Sequence, residues 1–84
     1  MKKIKYFTAS WCGPCKFFKP TIQELIDEGV DIQILDIESN QEEAESNKIM
    51  SVPTLIFQYN NEDYARVSGT LPKAEIQRLL AHNP

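Results

Sequence analysis

The sequence has few cysteines and histidines and no long apolar stretch, and these absences argue against several classes of protein. Among its 84 residues are two cysteines and a single histidine, His82. A zinc site generally needs about four ligands, so this set argues against zinc. We expect no metal, and no cofactor beyond a redox-active pair of cysteines. No stretch approaches the ~18 consecutive apolar residues of a membrane-spanning helix, and we expect no membrane association.

Charge and N-terminal composition argue against two further classes. The net charge of −3 gives no basic footprint for nucleic acid. The lysines near the N-terminus are not followed by the apolar segment of a signal peptide. We therefore predict a cytoplasmic protein, in a compartment where thiols are kept reduced. The length and the 42% of hydrophobic residues predict one small domain over residues 1–84.

The sequence does contain a pair of closely spaced cysteines, Cys12 and Cys15, within the stretch W-C-G-P-C-K. In a reducing compartment, a lone C-x-x-C pair suggests redox catalysis or metal binding. The pair follows a β-rich segment and precedes helical periodicity, so Cys12 is expected at a helix N-terminus. Unpaired N–H groups and the positive end of the helix dipole stabilise a thiolate there, which lowers the pKa of the Cys12 thiol. Cys15 is expected about one turn further in, shielded by the helix.

The two residues between the cysteines suit this position. Gly13 has no Cβ, so the backbone of a partner can approach Cys12 closely. Pro14 has a helix-compatible φ and lacks an N–H that the first turn would leave unpaired. We expect this stiff linker to hold the two sulfur atoms within disulfide reach.

The order of elements predicted along the chain is β-α-β-α-β-β-α. A strand over residues 3–8 with large residues on both faces is typical of the centre of an α/β sheet. The predicted elements are that strand, a helix over 12–28 that continues past Pro20, a strand over 31–37, a short polar helix capped by Ser39 or Asn40, a strand over 54–59, a hairpin loop over 60–63, a strand ending at 68, and a last helix that opens at 70–72. The periodicity predicts that Ile76, Leu79 and Leu80 of the last helix face the core.

The W-C-G-P-C-K stretch resembles the active-site motif of the thioredoxin family. The sequence V-P-T at Val52–Thr54 and the glycine at Gly69 extend the resemblance over nearly the whole chain. It implies an α/β thioredoxin-like fold with a four-stranded mixed sheet and flanking helices. Compared with larger members, these 84 residues are expected to lack the extra N-terminal strand and helix.

The resemblance also implies roles for individual residues. Cys12 would be the nucleophile that attacks a disulfide, and Cys15 would resolve the mixed disulfide. Pro53 would follow a cis peptide bond and face the cysteine pair. The residues expected to form the substrate-binding groove are Trp11, Gly13, Pro14, Val52, Pro53 and Gly69.

Two positions depart from the family pattern. Thioredoxins typically have a buried aspartate six positions before the first cysteine, where it accepts a proton from the second; here that position is Tyr6. A phenol, with an ordinary pKa near ~10, does not replace it at neutral pH. The usual partner lysine on the next strand is replaced by Ile34, which fits because an isolated buried lysine would be costly. The group that accepts the proton is therefore not identified by the sequence.

The predicted function is reduction of protein disulfides by dithiol exchange. A flavin-dependent thioredoxin reductase is the expected electron donor, and the chain is expected to act as a monomer. One alternative is a glutaredoxin-like reductase of the same fold, although the Gly-Pro linker and the absence of a glutathione-gripping stretch near residues 67–70 argue against it. The other is a non-catalytic docking protein that uses the groove near Trp11 and Pro53, against which the presence of Cys15 argues.

Overall fold

The computed structural model describes residues 1–82, and the last two residues of the predicted domain lie outside the described residues. The elements follow the predicted order. They are β1 (Lys2–Thr8), α1 (Gly13–Asp27), β2 (Ile32–Asp36), α2 (Gln41–Ser46), β3 (Thr54–Tyr59), β4 (Glu62–Ser68) and α3 (Lys73–Ala81). The four strands form one mixed sheet in the order β2-β1-β3-β4, which confirms the predicted fold class.

Strand β1 lies at the centre of the sheet, parallel to β2 and antiparallel to β3. Its side chains alternate between the two faces. Ile4 and Tyr6 belong to the main core with Phe18 and Ile22 of α1, whereas Phe7 packs in a second cluster on the opposite face. The prediction that both faces of this strand are covered is confirmed.

Helix α1 places the dithiol segment against the sheet. Its buried residues are Cys15, Phe18, Ile22 and Leu25, one apolar stripe at helical spacing. The helix continues through Pro20. Gly29, at a φ of 94°, follows the helix and donates its N–H to the Ile26 carbonyl at 2.9 Å, as expected of a C-terminal glycine.

The predicted bounds of β1, α1 and β2 differ from the structure by one residue at one or both ends, and three local details differ as well. The hairpin turn consists of Asn60 and Asn61 alone, both with positive φ, and β4 begins already at Glu62. Such two-residue turns with two left-handed residues match the twist of the flanking strands. Pro72 precedes α3 as its N-cap instead of lying in the first turn. Asn40 holds the N-cap position of α2, but its side chain bonds the Asp36 carbonyl and caps no helical N–H.

The environment expected for Ile34 was wrong. Ile34 pairs with Tyr6 across β1 and β2, but its side chain is 54% exposed. The reason is that α1 does not cover this position: Ile34 lines an open cavity together with Lys16 and Lys19 of α1. A lysine at this position would not be buried in this structure, so the burial argument for its absence does not hold.

The last helix closes the main core. Ile76 is fully buried, and Leu79 and Leu80 pack against the same cluster as partly buried residues, as predicted. His82 is exposed, at the C-terminal end of this helix. Among the helices of residues 1–82, none combines the length and hydropathy needed to cross a membrane.

Candidate active site

The first turn of α1 is built around the sulfur of Cys12. Cys12 is the N-cap residue, in an extended conformation, and its Sγ accepts a hydrogen bond from the backbone N–H of Cys15 at 3.1 Å. Gly13 and Pro14 are the first two residues of the helix. A helix leaves its first N–H groups without internal partners, so this cap directs one of them at a sulfur atom, as the sequence predicted.

Cys12 and Cys15 are joined by a disulfide, with Cα atoms 5.3 Å apart. The two residues are almost equally shielded, at 3% and 4% exposure. The sequence led us to expect that the helix would shield Cys15 more than Cys12, and the structure does not show that contrast. One difference between the two sulfurs is the hydrogen bond that Cys12 accepts.

A small apolar cluster surrounds the disulfide. Ala9, Cys12 and Cys15 are its buried members, and Val52 and Ile37 pack against it as partly buried residues. The structure thus brings Val52 to the cysteine pair, as expected of a groove residue. Ala9 and Ile37 were not identified from the sequence, because nothing in their local pattern separates them from ordinary core residues.

The segment before β3 forms the other side of the site. The Val52–Pro53 peptide bond is cis, as predicted. Pro53 is fully buried, and its carbonyl accepts the N–H of Gly69 at 2.8 Å. Gly69 has a φ of 96°, a conformation that favours glycine. Gly69 and Pro53, which lie in separate segments of the sequence, are therefore in direct contact.

The remaining predicted groove residues lie on the surface beside the pair. Trp11 is 65% exposed in the loop before α1, so it is not a core tryptophan. Gly13 and Pro14 are exposed at the helix start. An exposed tryptophan next to a buried disulfide offers apolar area to a partner.

A cavity of about 340 Å³ lies on the Cys15 side of the pair. Tyr6 and Ile34, the two positions that depart from the family pattern, both line it. Asp36 lines it as well and was missed in the sequence, where it reads as an ordinary strand end. Among residues 1–82, no group of three or more histidine, cysteine, aspartate or glutamate side chains is placed to hold a metal ion.

Comparisons with known proteins agree with this geometry. Residues 2–82 match the family model of thioredoxin. A thioredoxin from Staphylococcus epidermidis is 38% identical over 81 residues, covering 93% of this chain and 78% of that protein. A thioredoxin from Mycobacterium tuberculosis is 36% identical over 78 residues, covering 89% of this chain and 67% of that protein.

Solved structures show the same likeness. A mutant thioredoxin from Halobacterium salinarum superposes with a TM-score of 0.86 at 26% identity, covering 93% of this chain and 70% of that one. The thioredoxin of Fasciola hepatica gives 0.85 at 26% identity, covering 94% and 77%. With the paired cysteines at the helix start, these matches show that the chain belongs to the thioredoxin family and is a thiol-disulfide oxidoreductase acting on protein disulfides.

Proposed function

We propose that Cys12 is the nucleophile of this oxidoreductase and Cys15 its resolving cysteine. The observation that carries this division is the hydrogen bond from the Cys15 N–H to the Cys12 sulfur, 3.1 Å long, at the start of α1. In the reduced protein the same N–H and the positive end of the helix dipole stabilise a thiolate at Cys12 and lower the pKa of its thiol. The thiolate is the form that attacks disulfides.

The reaction then proceeds by two exchanges. The Cys12 thiolate attacks one sulfur of a partner disulfide, forming a mixed disulfide and releasing the other partner sulfur as a thiolate that takes up a proton. Cys15 loses its proton and attacks the Cys12 sulfur, so the bond to the partner breaks and the second partner thiolate leaves and is protonated. The partner gains two electrons and two protons, and Cys12 and Cys15 end as the observed disulfide.

The partner segment binds at the groove formed by Trp11, Gly13, Pro14, Val52, Pro53 and Gly69, where the fully buried Pro53 acts by positioning the backbone of Val52. Val52 supports this because it packs against the disulfide cluster, while its own backbone forms no backbone hydrogen bond within residues 1–82. An extended segment can therefore pair with it as an added strand. The bond between Gly69 and Pro53 holds the two ends of this groove together.

We further propose a physiological setting that is compatible with this chemistry. The chain, a single domain over residues 1–84, acts as a monomeric reductant of protein disulfides in the cytoplasm, where the thiol pool is reducing. A flavin-dependent thioredoxin reductase returns the Cys12–Cys15 disulfide to the dithiol. No cofactor other than this pair takes part.

Reduction of insulin by dithiothreitol, followed as turbidity, tests the assignment. The wild type should accelerate the reaction, and Cys12→Ser should abolish the acceleration. Cys15→Ser should instead accumulate a mixed disulfide with insulin, visible by mass spectrometry as a covalent adduct at Cys12. An adduct that forms with Cys12→Ser and not with Cys15→Ser would reverse the roles. Insulin binding without any acceleration by the wild type would favour the docking alternative, and reduction of glutathione mixed disulfides in preference to insulin would favour the glutaredoxin-like one.

A further inference from the structure

The two cysteines differ in their surroundings, because a cavity lies beside Cys15. It lies between α1 and the carboxyl ends of β1 and β2, and it is lined by Cys15 but not by Cys12. Its other walls include Tyr6 and Thr8 from β1 and Ile34 and Asp36 from β2. At about 340 Å³ the cavity has room for several water molecules. Water in it can reach the side of the dithiol where the proton of Cys15 must leave.

The register of β1 and β2 directs Asp36 towards this cavity. Tyr6 pairs with Ile34 and Thr8 pairs with Asp36 in a parallel arrangement. Because alternate residues of a strand share a face, Asp36 lies on the same side of the sheet as Tyr6. That is the side covered by α1, since Tyr6 belongs to the core cluster of Phe18. The placement of Asp36 thus follows from the register as well as from the cavity wall.

One oxygen of the Asp36 carboxylate is hydrogen-bonded to the backbone, and the other is available to water. Its Oδ1 accepts the backbone N–H of Glu38 at 2.8 Å, in the turn that follows β2. Within residues 1–82 its side chain makes no other hydrogen bond to protein. Oδ2 is therefore left to bind water, and a carboxylate oxygen is a pure acceptor.

The other titratable groups facing Cys15 are poorer acceptors. Besides Asp36, the titratable side chains lining the cavity are Tyr6 from β1 and Lys16 and Lys19 from α1. A lysine ammonium has three donors and no acceptor, and a tyrosine hydroxyl is both donor and acceptor, whereas a carboxylate only accepts. Cys12 is itself bound to the partner at the moment of resolution. Of the cavity walls, Asp36 supplies the one carboxylate.

We propose that Asp36, acting through water in this cavity, accepts the proton of Cys15 as Cys15 resolves the mixed disulfide. The proposal rests on the assignment of Cys15 as the resolving cysteine. The proton passes from the Cys15 sulfur to water and from water to Asp36, while the sulfur electron pair forms the bond to Cys12 and the partner leaves as a thiolate. Asp36 then returns the proton to solvent or to the departing sulfur. It takes over the task of the aspartate that Tyr6 replaces, from the neighbouring strand.

The reaction of the reduced protein with 5,5′-dithiobis(2-nitrobenzoate) in a stopped-flow instrument separates the two exchanges. The first release of thionitrobenzoate reports attack by Cys12 and depends on reagent concentration. The second reports attack by Cys15 and does not. General base catalysis is typically worth ~10²–10⁴-fold and less when water can substitute, so we expect Asp36→Asn to slow the second phase about 10- to 100-fold near neutral pH. Its rate should climb with pH where the wild-type rate levels off, and the first phase should be unchanged.

Matched variants distinguish proton transfer from a structural effect. Asparagine keeps an oxygen for the Glu38 N–H, and Asp36→Ser is a second variant whose hydroxyl can also accept it. Glu38→Gln removes a charge two residues away and should leave both phases unchanged. Added formate should restore the second phase in the Asp36 variants, which a purely structural defect would not allow.

The outcomes also separate this proposal from the one on which it rests. An Asp36→Asn second phase with the wild-type rate and pH profile would overturn the role of Asp36. Slowing by Asp36→Asn and Asp36→Ser that formate does not relieve would do the same. If the wild type itself shows no second phase, or if Cys15→Ser retains it, the assignment of Cys15 fails instead.

Discussion

Tyr6 of β1 and Phe18 of α1 pack edge to face, with ring centroids 5.8 Å apart and planes at 81°. Phe18 lies one helical turn after Cys15, so this pair attaches the start of α1 to the central strand. Tyr6 is 4% exposed and Phe18 3%. The position that carries a buried acid in typical family members therefore carries a packing residue here.

Replacing this tyrosine by the acid should destabilise the protein severely. Truncating a buried aromatic residue typically costs ~3–5 kcal/mol, and Tyr6→Asp adds the desolvation of a carboxyl group. Since domains are stable by only about 5–15 kcal/mol, the urea midpoint should fall steeply. Tyr6→Phe keeps the ring contact with Phe18 and should change the free energy of unfolding by less than ~1.5 kcal/mol. Equal stabilities of the two variants would mean that Tyr6 is not a core residue.

Tyr64 of β4 connects the sheet to α3 through its hydroxyl. The hydroxyl donates to the Leu79 carbonyl at 3.0 Å, and burial raises the pKa of Tyr64 above its ordinary value. Tyr64→Phe should lower the free energy of unfolding at neutral pH by about 0.5–1.5 kcal/mol, the usual worth of one hydrogen bond.

The pH dependence of this difference has a definite sign. A pKa that folding raises gives stability that is complete below the unfolded value, about 10 for tyrosine, and is lost as pH rises through the folded value. The advantage of the wild type over Tyr64→Phe should therefore shrink in alkaline solution, as measured by urea unfolding at a series of pH values. An advantage that grows with pH would contradict the assigned shift. Lys73 titrates in both proteins and cancels in the comparison.

Lys73 at the start of α3 pairs with two glutamates at the end of α1. Its ammonium donates to the carboxylates of Glu28 and, at 3.0 Å, of Glu24. These hydrogen bonds raise the pKa of Lys73, and the bond to Glu28 contributes most. The stability they supply is present below the ordinary lysine value of about 10.5 and is lost as pH rises through the higher folded value.

Because the groups are exposed, the contribution of this pair should be small and sensitive to salt. Lys73→Met should lower the denaturant midpoint slightly at low ionic strength. A double-mutant cycle with Glu28→Gln isolates the pair, and its coupling should approach zero at about 1 M salt, where the screening length is near ~3 Å. A coupling that high salt leaves unchanged would show that the residues interact by packing and not by charge.

Local patterns in the sequence were sufficient for the dithiol and most of the core. β3 lies at the predicted residues 54–59. Its mostly apolar, buried run can be recognised from the local sequence alone. The start of α1 could be predicted because the motif places the cysteines at a strand-to-helix transition. Gly69 and Pro53 were found through family resemblance, and the structure shows the bond between them.

Features that depend on strand order and register could not be predicted in this way. The exposure of Ile34 follows from the open cavity between α1 and β2, which no local pattern reports. The same holds for Asp36, whose neighbours in the cavity come from β1 and α1. Glu62 and Asp63 read as loop residues because acids are poor strand formers. Pairing opposite Tyr59 and Gln58 makes them the start of β4, with a hydrogen bond from Gln58 to Asp63 at 2.7 Å.

Gly69 and Gly29 form a matched pair for testing the groove. Their φ angles are 96° and 94°, and a Cβ built on either meets no heavy atom within 4 Å among the described residues beyond its two chain neighbours. Alanine at either position therefore suffers the left-handed backbone penalty, about 1–2 kcal/mol, without a steric clash. Gly69→Ala and Gly29→Ala should lower the free energy of unfolding by similar amounts in urea titrations.

Only the Gly69 variant should affect the substrate. Gly69 donates to the Pro53 carbonyl in the groove, whereas Gly29 follows the far end of α1 from the cysteines. A shift of the groove backbone that removes ~1 kcal/mol of partner binding corresponds to about a fivefold rise in KM for a protein disulfide. We expect that rise for Gly69→Ala in insulin reduction, with kcat little changed, and the wild-type KM for Gly29→Ala. Equal KM values in the two variants would show that Gly69 takes no part in binding, because their matched loss of stability removes folding as the explanation.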